Sequence, residues 1–483
     1  MSYIPHTEED RRAMLATIGV ESIAKLFSDI PEALQLKEPL DVPPALDPHS
    51  ILRTLAEYSR QNRSLDEMVS FLGAGVYQHA VPSAVAALIG RGEFLSAYTP
   101  YQPEASQGYL QTIYEFQTMI CELTGMEVAN ASMYDGATAA AEAAVMAHGV
   151  TGKDKIVVSR ALHPHYRECI RTYAAAVGCT IVEPPLPLGE GRDEGTTGVR
   201  DSAGVREIRE LEAAIDKETA CVVWQYPDFF GRVLSPLHLV NKAREVGALT
   251  VCATEPVSLG VLRPPGSFGV DVVVGEGQPL GVPMGYGGPH VGFFCVKRDL
   301  VRAIPGRIVG ATHDKDGRRG FVMTLRTREQ DIRREKATSN ICTNQALMAL
   351  AATIYMSLLG KQGFREVAEA CVRNAHYCAE QLLRIPGVSL LFPDDPFAFE
   401  FAVRLPKGAE AVRDALLDQD ILAGLPLGRF YPPLPLGEGR GEGTTGVSDS
   451  DPLSLWERAG VRDCLLVAVT EVRTRAEIDN FAT

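Results

Sequence analysis

Residues 271–292 read DVVVGEGQPLGVPMGYGGPHVG. The stretch opens on Val272-Val273-Val274, an apolar β-branched run of the kind a buried strand takes. A polar turn follows, then the glycine cluster Gly285-Tyr286-Gly287-Gly288-Pro289. The apolar run Val291 to Val296 predicts a second strand. Upstream, strands are expected at Lys155 to Val158, near Thr180, at Cys221 to Trp224 and at Leu249 to Ala253. Helical segments separate them, from about Tyr166 and over Glu207 to Ile215. That alternation predicts an α/β fold, a largely parallel sheet with helices on both faces.

The remainder sorts around this core. An amphipathic helix is predicted over Ser106 to Leu123, stopped by Gly125, and an alanine-rich helix follows Thr138 to about His148. Ala346 to Leu359 is strongly helical. Strands near Val388 to Leu391, Phe397 to Val403 and Cys464 to Val469, with helices from Gly363 and over 408–417, predict a small C-terminal α/β domain. Residues 1–66 predict a helical arm. Thr7 and Asp10 make a capping box, Gly19 a stop, and Pro31 to Pro48 a stretch that is not regular helix. The expected boundaries are 1–66 for the arm, 67–345 for the large domain and 346–483 for the C-terminal helix and small domain. The dense polar run TLRTREQDIRREKATSNICTNQ (324–345) reads as a solvated helix face.

The chain has 483 residues, 46% of them hydrophobic, and a net charge of −14. That size supports two or three domains. The acidic balance argues against nucleic acid as a partner. No window approaches the ~20 apolar residues of a membrane span, and the polar N-terminus does not read as a signal peptide. Ten cysteines without a CxxC pair predict reduced thiols, with neither a disulfide framework nor a zinc site. The expected location is the cytoplasm.

One repeat stands outside the pattern. Residues 184–202 read PPLPLGEGRDEGTTGVRDS and 432–450 read PPLPLGEGRGEGTTGVSDS, the second running on to about 462. The copies fall in different domains, so they are not a duplicated fold. Rich in glycine, proline and charge, they are expected to be mobile surface insertions without function.

Strand, polar loop, glycine turn, strand also resembles how fold-type I pyridoxal-phosphate (PLP) enzymes present the lysine that forms a Schiff base. Here Gln278 stands where that lysine is expected, and an amide forms no imine. Between 250 and 300 the only lysine is Lys297, at a strand end. Lys336, in the polar run, is the other candidate. The acidic partner for a pyridinium nitrogen is expected after the strand near Val251, where Glu255 is the substitute. Tyr134, Asp135 and Thr138 lie where a loop meets a helix N-terminus, a place for a phosphate or for plain capping. His163, in ALHPH, follows a strand and reads either as a ring to stack on a cofactor or as a surface histidine before a proline. Tyr98, Tyr101, Gln102 and Glu104 form a loop suited to lining a neighbouring chain's pocket. The glycine run lacks the helix and Lys-Ser/Thr of a P-loop, and no dinucleotide, serine-elbow or zinc signature is present.

YIPHTEEDRRAML (3–15), YTPYQPEASQG (98–108), SMYDGATAAAEA (132–143), GQPLGVPMGYGGPHVGF (277–293) and LRTREQDIRREKATSNICTNQAL (325–347) resemble the glycine dehydrogenase (decarboxylating) family of the glycine cleavage system. They match its subunit 1, the alpha chain of the two-chain form. The resemblance implies a fold-type I PLP-transferase-like architecture with a mainly parallel seven-stranded sheet. It implies a beta-chain partner (subunit 2), an assembly of two alpha and two beta chains, glycine as substrate and the lipoyl carrier protein as acceptor. PLP is then bound by the partner and not covalently by this chain, with Gln278 in the lysine's place. Arg328, within the 325–347 motif, joins the pocket or interface candidates. Two other readings stay open: a self-sufficient PLP aminotransferase or aldolase using Lys336, and a non-catalytic scaffold.

Overall fold

The computed structural model describes residues 5–38, 40–95, 99–187, 201–341, 343–431, 461 and 463–483. The chain divides into two compact units, 1–63 and 64–483.

In the first unit, helix Glu8–Ile18 begins at a capping box. Asp10 N donates to Thr7 Oγ1 (3.2 Å) and Thr7 N to Asp10 Oδ2 (2.7 Å), and the helix ends on Gly19 at φ +83°. Asp47 caps helix Pro48–Ser59 by accepting from His49 N and Ser50 N, each at 3.0 Å. Between them lie two 3-10 turns, Ile23–Phe27 and, within the proline-rich stretch, Glu32–Leu34. None of these elements buries a residue; Ile51, Leu55 and Tyr58 of the second helix are exposed.

The second unit is built on a seven-stranded sheet: β1 Val128–Ala129, β2 Lys155–Val158, β3 Thr180–Val182, β4 Thr219–Tyr226, β5 Leu249–Thr254, β6 Val272–Glu276 and β7 Gly292–Val296. Their order is β1-β7-β6-β5-β4-β2-β3. Only β7 runs against its neighbours. Side chains alternate between two cores, as the pleat requires. Val273, Val222 and Cys252 enter the core shared with Phe116, Ile120 and Tyr355. Val272, Val274 and Val223 enter the one filled by Ala139 to Ala147. Because both faces are covered, the strands read as continuous apolar runs. The alanine-rich helix, Gly136–Thr151, packs against four of the strands; its small side chains permit that close approach.

A four-stranded antiparallel sheet, Ser389–Leu390, Glu400–Arg404, Cys464–Ala468 and Leu425–Pro426, forms the C-terminal part. Helix Ala346–Leu382 leads into it and is broken at Gly360 (φ +59°). Val69–Ser70 pairs in parallel with Ile421–Leu422, joining the start of this unit to its end.

The polar run 324–345 is not a helix. It makes three single turns, Arg326–Arg328, Gln330–Arg333 and Arg334–Lys336. Leu325 and Arg334 adopt φ of +55° and +54°, which breaks helical propagation. The described cysteines are free thiols. The expectation of mobile insertions concerns residues 184–202 and 432–462, of which 188–200, 432–460 and 462 lie outside the described residues. At its ends the first copy is built into the fold: Leu186 is buried beside Phe229, Tyr431 and Val461, and Ser202 caps helix Ala203–Ala214.

Candidate active-site cleft

In an open α/β sheet, ligands bind beyond the carboxyl ends of the parallel strands. Here that rim carries Gln225 from β4, Thr254 at the end of β5 and Glu255 just beyond it, and Glu276 from β6, joined by Tyr77, His163 and Tyr166. Most of the polar groups among them are engaged by the protein itself.

Glu276 Oε2 accepts from Gly136 N (3.1 Å), and Oε1 accepts from Gln278 N (2.9 Å) and Val291 N (3.1 Å). Its carboxylate lies 3.5 Å from His290 Nδ1, and that contact raises the imidazole's pKa. Asp135 accepts from Thr138 N (2.8 Å) as the N-cap of the same helix that begins at Gly136. Two carboxylates therefore take the helix N-terminus on which a phosphate was a possibility. Plain capping is the outcome for Asp135 and Thr138. A side chain at Gly136 would put its Cβ 1.8 Å from the Tyr166 hydroxyl, so only glycine admits this approach.

Gln278 is 3% exposed. Its Oε1 accepts from Tyr77 N (3.1 Å), and its Nε2 donates to Tyr77 O (3.2 Å) and Val282 O (2.7 Å). The amide thus pairs with a peptide 201 residues away. Glu255 turns back on its own chain, accepting from Val257 N (2.9 Å) and Ser258 N (2.7 Å); burial raises its pKa.

His163 is not a surface residue. Its Nδ1 accepts from His165 N (3.1 Å), so its Nε2 carries the proton donated to Ala74 O (2.8 Å). Burial pushes its pKa down to about 4, leaving a neutral ring edge-on to Phe229 at 5.1 Å. The void these groups enclose is about 20 Å³, room for roughly one water. A second void, by Tyr77, Asp228 and Glu400, is about 10 Å³.

Residues 1–429 match the glycine cleavage system P-protein family, ending just before the second repeat. The chain is 47% identical over 482 residues to the probable glycine dehydrogenase (decarboxylating) subunit 1 of Thermomicrobium roseum, covering 100% of this chain and 98% of that one. To the protein of the same name from Geobacillus kaustophilus it is 47% identical over 479 residues, covering 99% and 97%. A crystal structure of glycine decarboxylase (P-protein) in inhibitor-bound form superposes with a TM-score of 0.81 at 42% identity, covering 100% of this chain and 98% of that one.

The chain belongs to the glycine cleavage system P-protein family.

Within this P-protein chain, the residues at the cleft do not fit pyridoxal phosphate. Gln278, where the lysine is expected, is bonded on both sides of its amide. The helix N-terminus holds Glu276 and Asp135. Glu255 is committed to its own backbone, and a void of about 20 Å³ falls far below the ~300 Å³ lower range of ligand pockets.

The other candidates lie elsewhere. Arg328 is buried and structural: Nε donates to Leu325 O (3.1 Å), Nη2 to Gly306 O (3.0 Å) and Nη1 to Ile304 O. Lys336 is exposed on its turn and lines no part of the cleft. Lys297 bonds Asp271 Oδ1 (2.5 Å) at the opposite end of β6. Tyr134 is half-buried beside the capping residue. Tyr98 lies outside the described residues; Tyr101 and Glu104 are exposed, and Gln102 precedes a 3-10 turn, Pro103–Ala105, in a loop expected to be helix-free. Sequence reasoning missed Glu276 and Tyr77. Glu276 had a signal, an acid two positions before the glutamine in GEGQ; Tyr77 had only its place in the stretch FLGAGVYQHAVP (71–82).

Proposed function

We propose that this chain is the cofactor-free subunit of a two-chain glycine decarboxylase, active only with a partner chain. The observation that carries this is the closed cleft, above all the Gln278–Tyr77 pairing in place of an imine-forming lysine. The end-to-end likeness to proteins named subunit 1 supports the need for a second subunit. In this reading the partner, the beta chain, holds PLP on its own lysine in an assembly of two alpha and two beta chains. PLP supplies the electron sink for decarboxylation. Glycine loses CO2 and its aminomethyl group passes to the lipoyl carrier protein.

This chain's contribution is then at the interface. It fills its own cleft with its own side chains, and it offers the loop that includes Tyr101, Gln102 and Glu104 to the partner's site. No helix among the described residues is long and apolar enough to cross a membrane, and we read the enzyme as cytoplasmic. The self-sufficient reading has no support at the cleft, because Lys336 is not there.

The test is glycine-dependent CO2 exchange, with PLP and lipoyl carrier, by this chain, its partner and their mixture. Exchange restricted to the mixture is the expected result. Exchange by this chain alone overturns the reading.

A further inference from the structure

Two arginines that flank the 99–104 loop are held very differently from Arg328. Arg307 is 6% exposed, yet its contacts are long. Nη1 reaches Thr99 Oγ1 at 3.4 Å and Nη2 reaches Tyr101 Oη at 3.3 Å. Its Nε faces Glu329 Oε2 at 3.5 Å as an ion pair and, though buried, makes no hydrogen bond. Its guanidinium carbon also lies 5.5 Å from the centroid of the Tyr101 ring. Arg326 lies 5.1 Å from the same centroid while pairing with Asp331 Oδ2 at 2.5 Å.

The chemistry concerns Tyr101. Its hydroxyl oxygen accepts from Arg307, so the hydroxyl proton remains to be donated. Tyr101 is 50% exposed, and two cations set its ring. A buried guanidinium normally has its donors filled, as Arg328 does with three carbonyls. Arg307 is instead kept as a loosely engaged charge behind an outward-facing O–H. Glu329 and Asp331 balance the two cations from the protein side, and among the described residues no acceptor takes the Tyr101 hydroxyl proton.

We propose that Tyr101 donates a hydrogen bond to an oxyanion held on the partner chain, with Arg307 as its positioning residue and Arg326 flanking the ring. The proposal rests on the two-chain reading above. A carboxylate or a phosphate has the required chemistry, so the oxyanion is that of glycine or that of PLP in the partner's site.

The test uses the assembled complex with Tyr101→Phe, Arg307→Gln and Arg307→Lys. Assembly is checked by size exclusion, PLP affinity by equilibrium dialysis, and KM for glycine at saturating PLP. Loss of a hydrogen bond to a charged group predicts a weakening of about tenfold or more in one of those two constants for Tyr101→Phe and Arg307→Gln, with kcat less affected and Arg307→Lys partly restored. Weaker PLP binding alone assigns the phosphate; a higher glycine KM alone assigns the carboxylate. Assembled variants with unchanged constants overturn the proposal. So does an Arg307→Gln defect that Tyr101→Phe does not share, which makes Arg307 merely structural. Tyr101→Phe removes a single oxygen from a half-exposed side chain, so the test survives a folding failure at Arg307. A wild-type pair without glycine exchange instead refutes the two-chain reading itself.

Discussion

The Glu276 carboxylate accepts a hydrogen bond from the backbone nitrogen of Gly136 at 3.1 Å, at the first turn of the helix that covers the sheet. A helix N-terminus concentrates unpaired N–H donors and positive potential. In this chain a built-in carboxylate meets that demand, and the same carboxylate also holds the backbone at Gln278 and Val291. The end of β6, the start of the helix and the return into β7 thus share one anion.

Removing that anion leaves three donors without an acceptor. Glu276→Ala should destabilise the folded chain by about 3 kcal/mol or more, at roughly 1–3 kcal/mol per buried group left unpaired. Urea denaturation measures this. Glu276→Gln should cost less, because the amide oxygen still accepts.

Restoring the lysine should not restore the cofactor. Gln278→Lys removes the paired amide from Tyr77 and Val282 but leaves Glu276 on the helix N-terminus and the small void unchanged. Incubation with PLP, borohydride reduction and peptide mass analysis should find no pyridoxyl group on residue 278. A labelled peptide would refute the closed-cleft description.

Arg232 is fully buried and bonds three carboxylates: Asp228 at 2.7 Å, Asp395 at 3.4 Å and Glu207. Its guanidinium also stacks 4.2 Å from the centroid of Phe392, joining the large sheet's surroundings to the C-terminal part. Arg232→Met should destabilise by about 3–5 kcal/mol, the range for a buried pair that loses one partner. The loss should be smaller at pH 6 than at pH 8, because burial raises the Asp228 carboxyl to about 7 and its protonation then relieves the unpaired charge. Equal losses at both pH values would contradict this account.

Glu400 accepts from Ala74 N at 2.7 Å and meets Tyr77 Oη at 2.7 Å. Burial pushes its pKa up from 4.5 to about 7. A carboxyl raised in the folded state binds its proton more tightly there than in the unfolded chain. Its contribution to stability is therefore full below about pH 4.5 and declines until about pH 7. Glu400→Gln should remove that decline. The difference in melting temperature between wild type and variant, followed from pH 5 to 8, should change in the variant's favour as pH rises.

The parts legible from residue order were those with a local cause. Val272 to Val274 alternate between two buried faces, so apolar runs marked the strands. Thr7, Asp10, Gly19 and Gly125 announced helix ends, because a cap is satisfied within three or four residues. Gln278 itself excluded an imine, whatever surrounds it. The family motifs carried the rest of the fold and the function.

What residue order left open depended on partners brought from far away. The polar run 324–345 has helical composition, but Arg328 is fixed by carbonyls at Ile304 and Gly306, and Leu325 and Arg334 turn the backbone against a helix. His163 could have been a surface residue until Ala74, Phe229 and Tyr166 closed around it. The choice between a phosphate seat and plain capping at Asp135 was settled by Glu276, 141 positions downstream. Sequence alone determined that this chain cannot hold the cofactor through Gln278. Tertiary structure decided that the cleft is also filled, because Tyr77, Gly136 and Glu276 meet there only once the sheet has brought their hydrogen-bonding groups within reach.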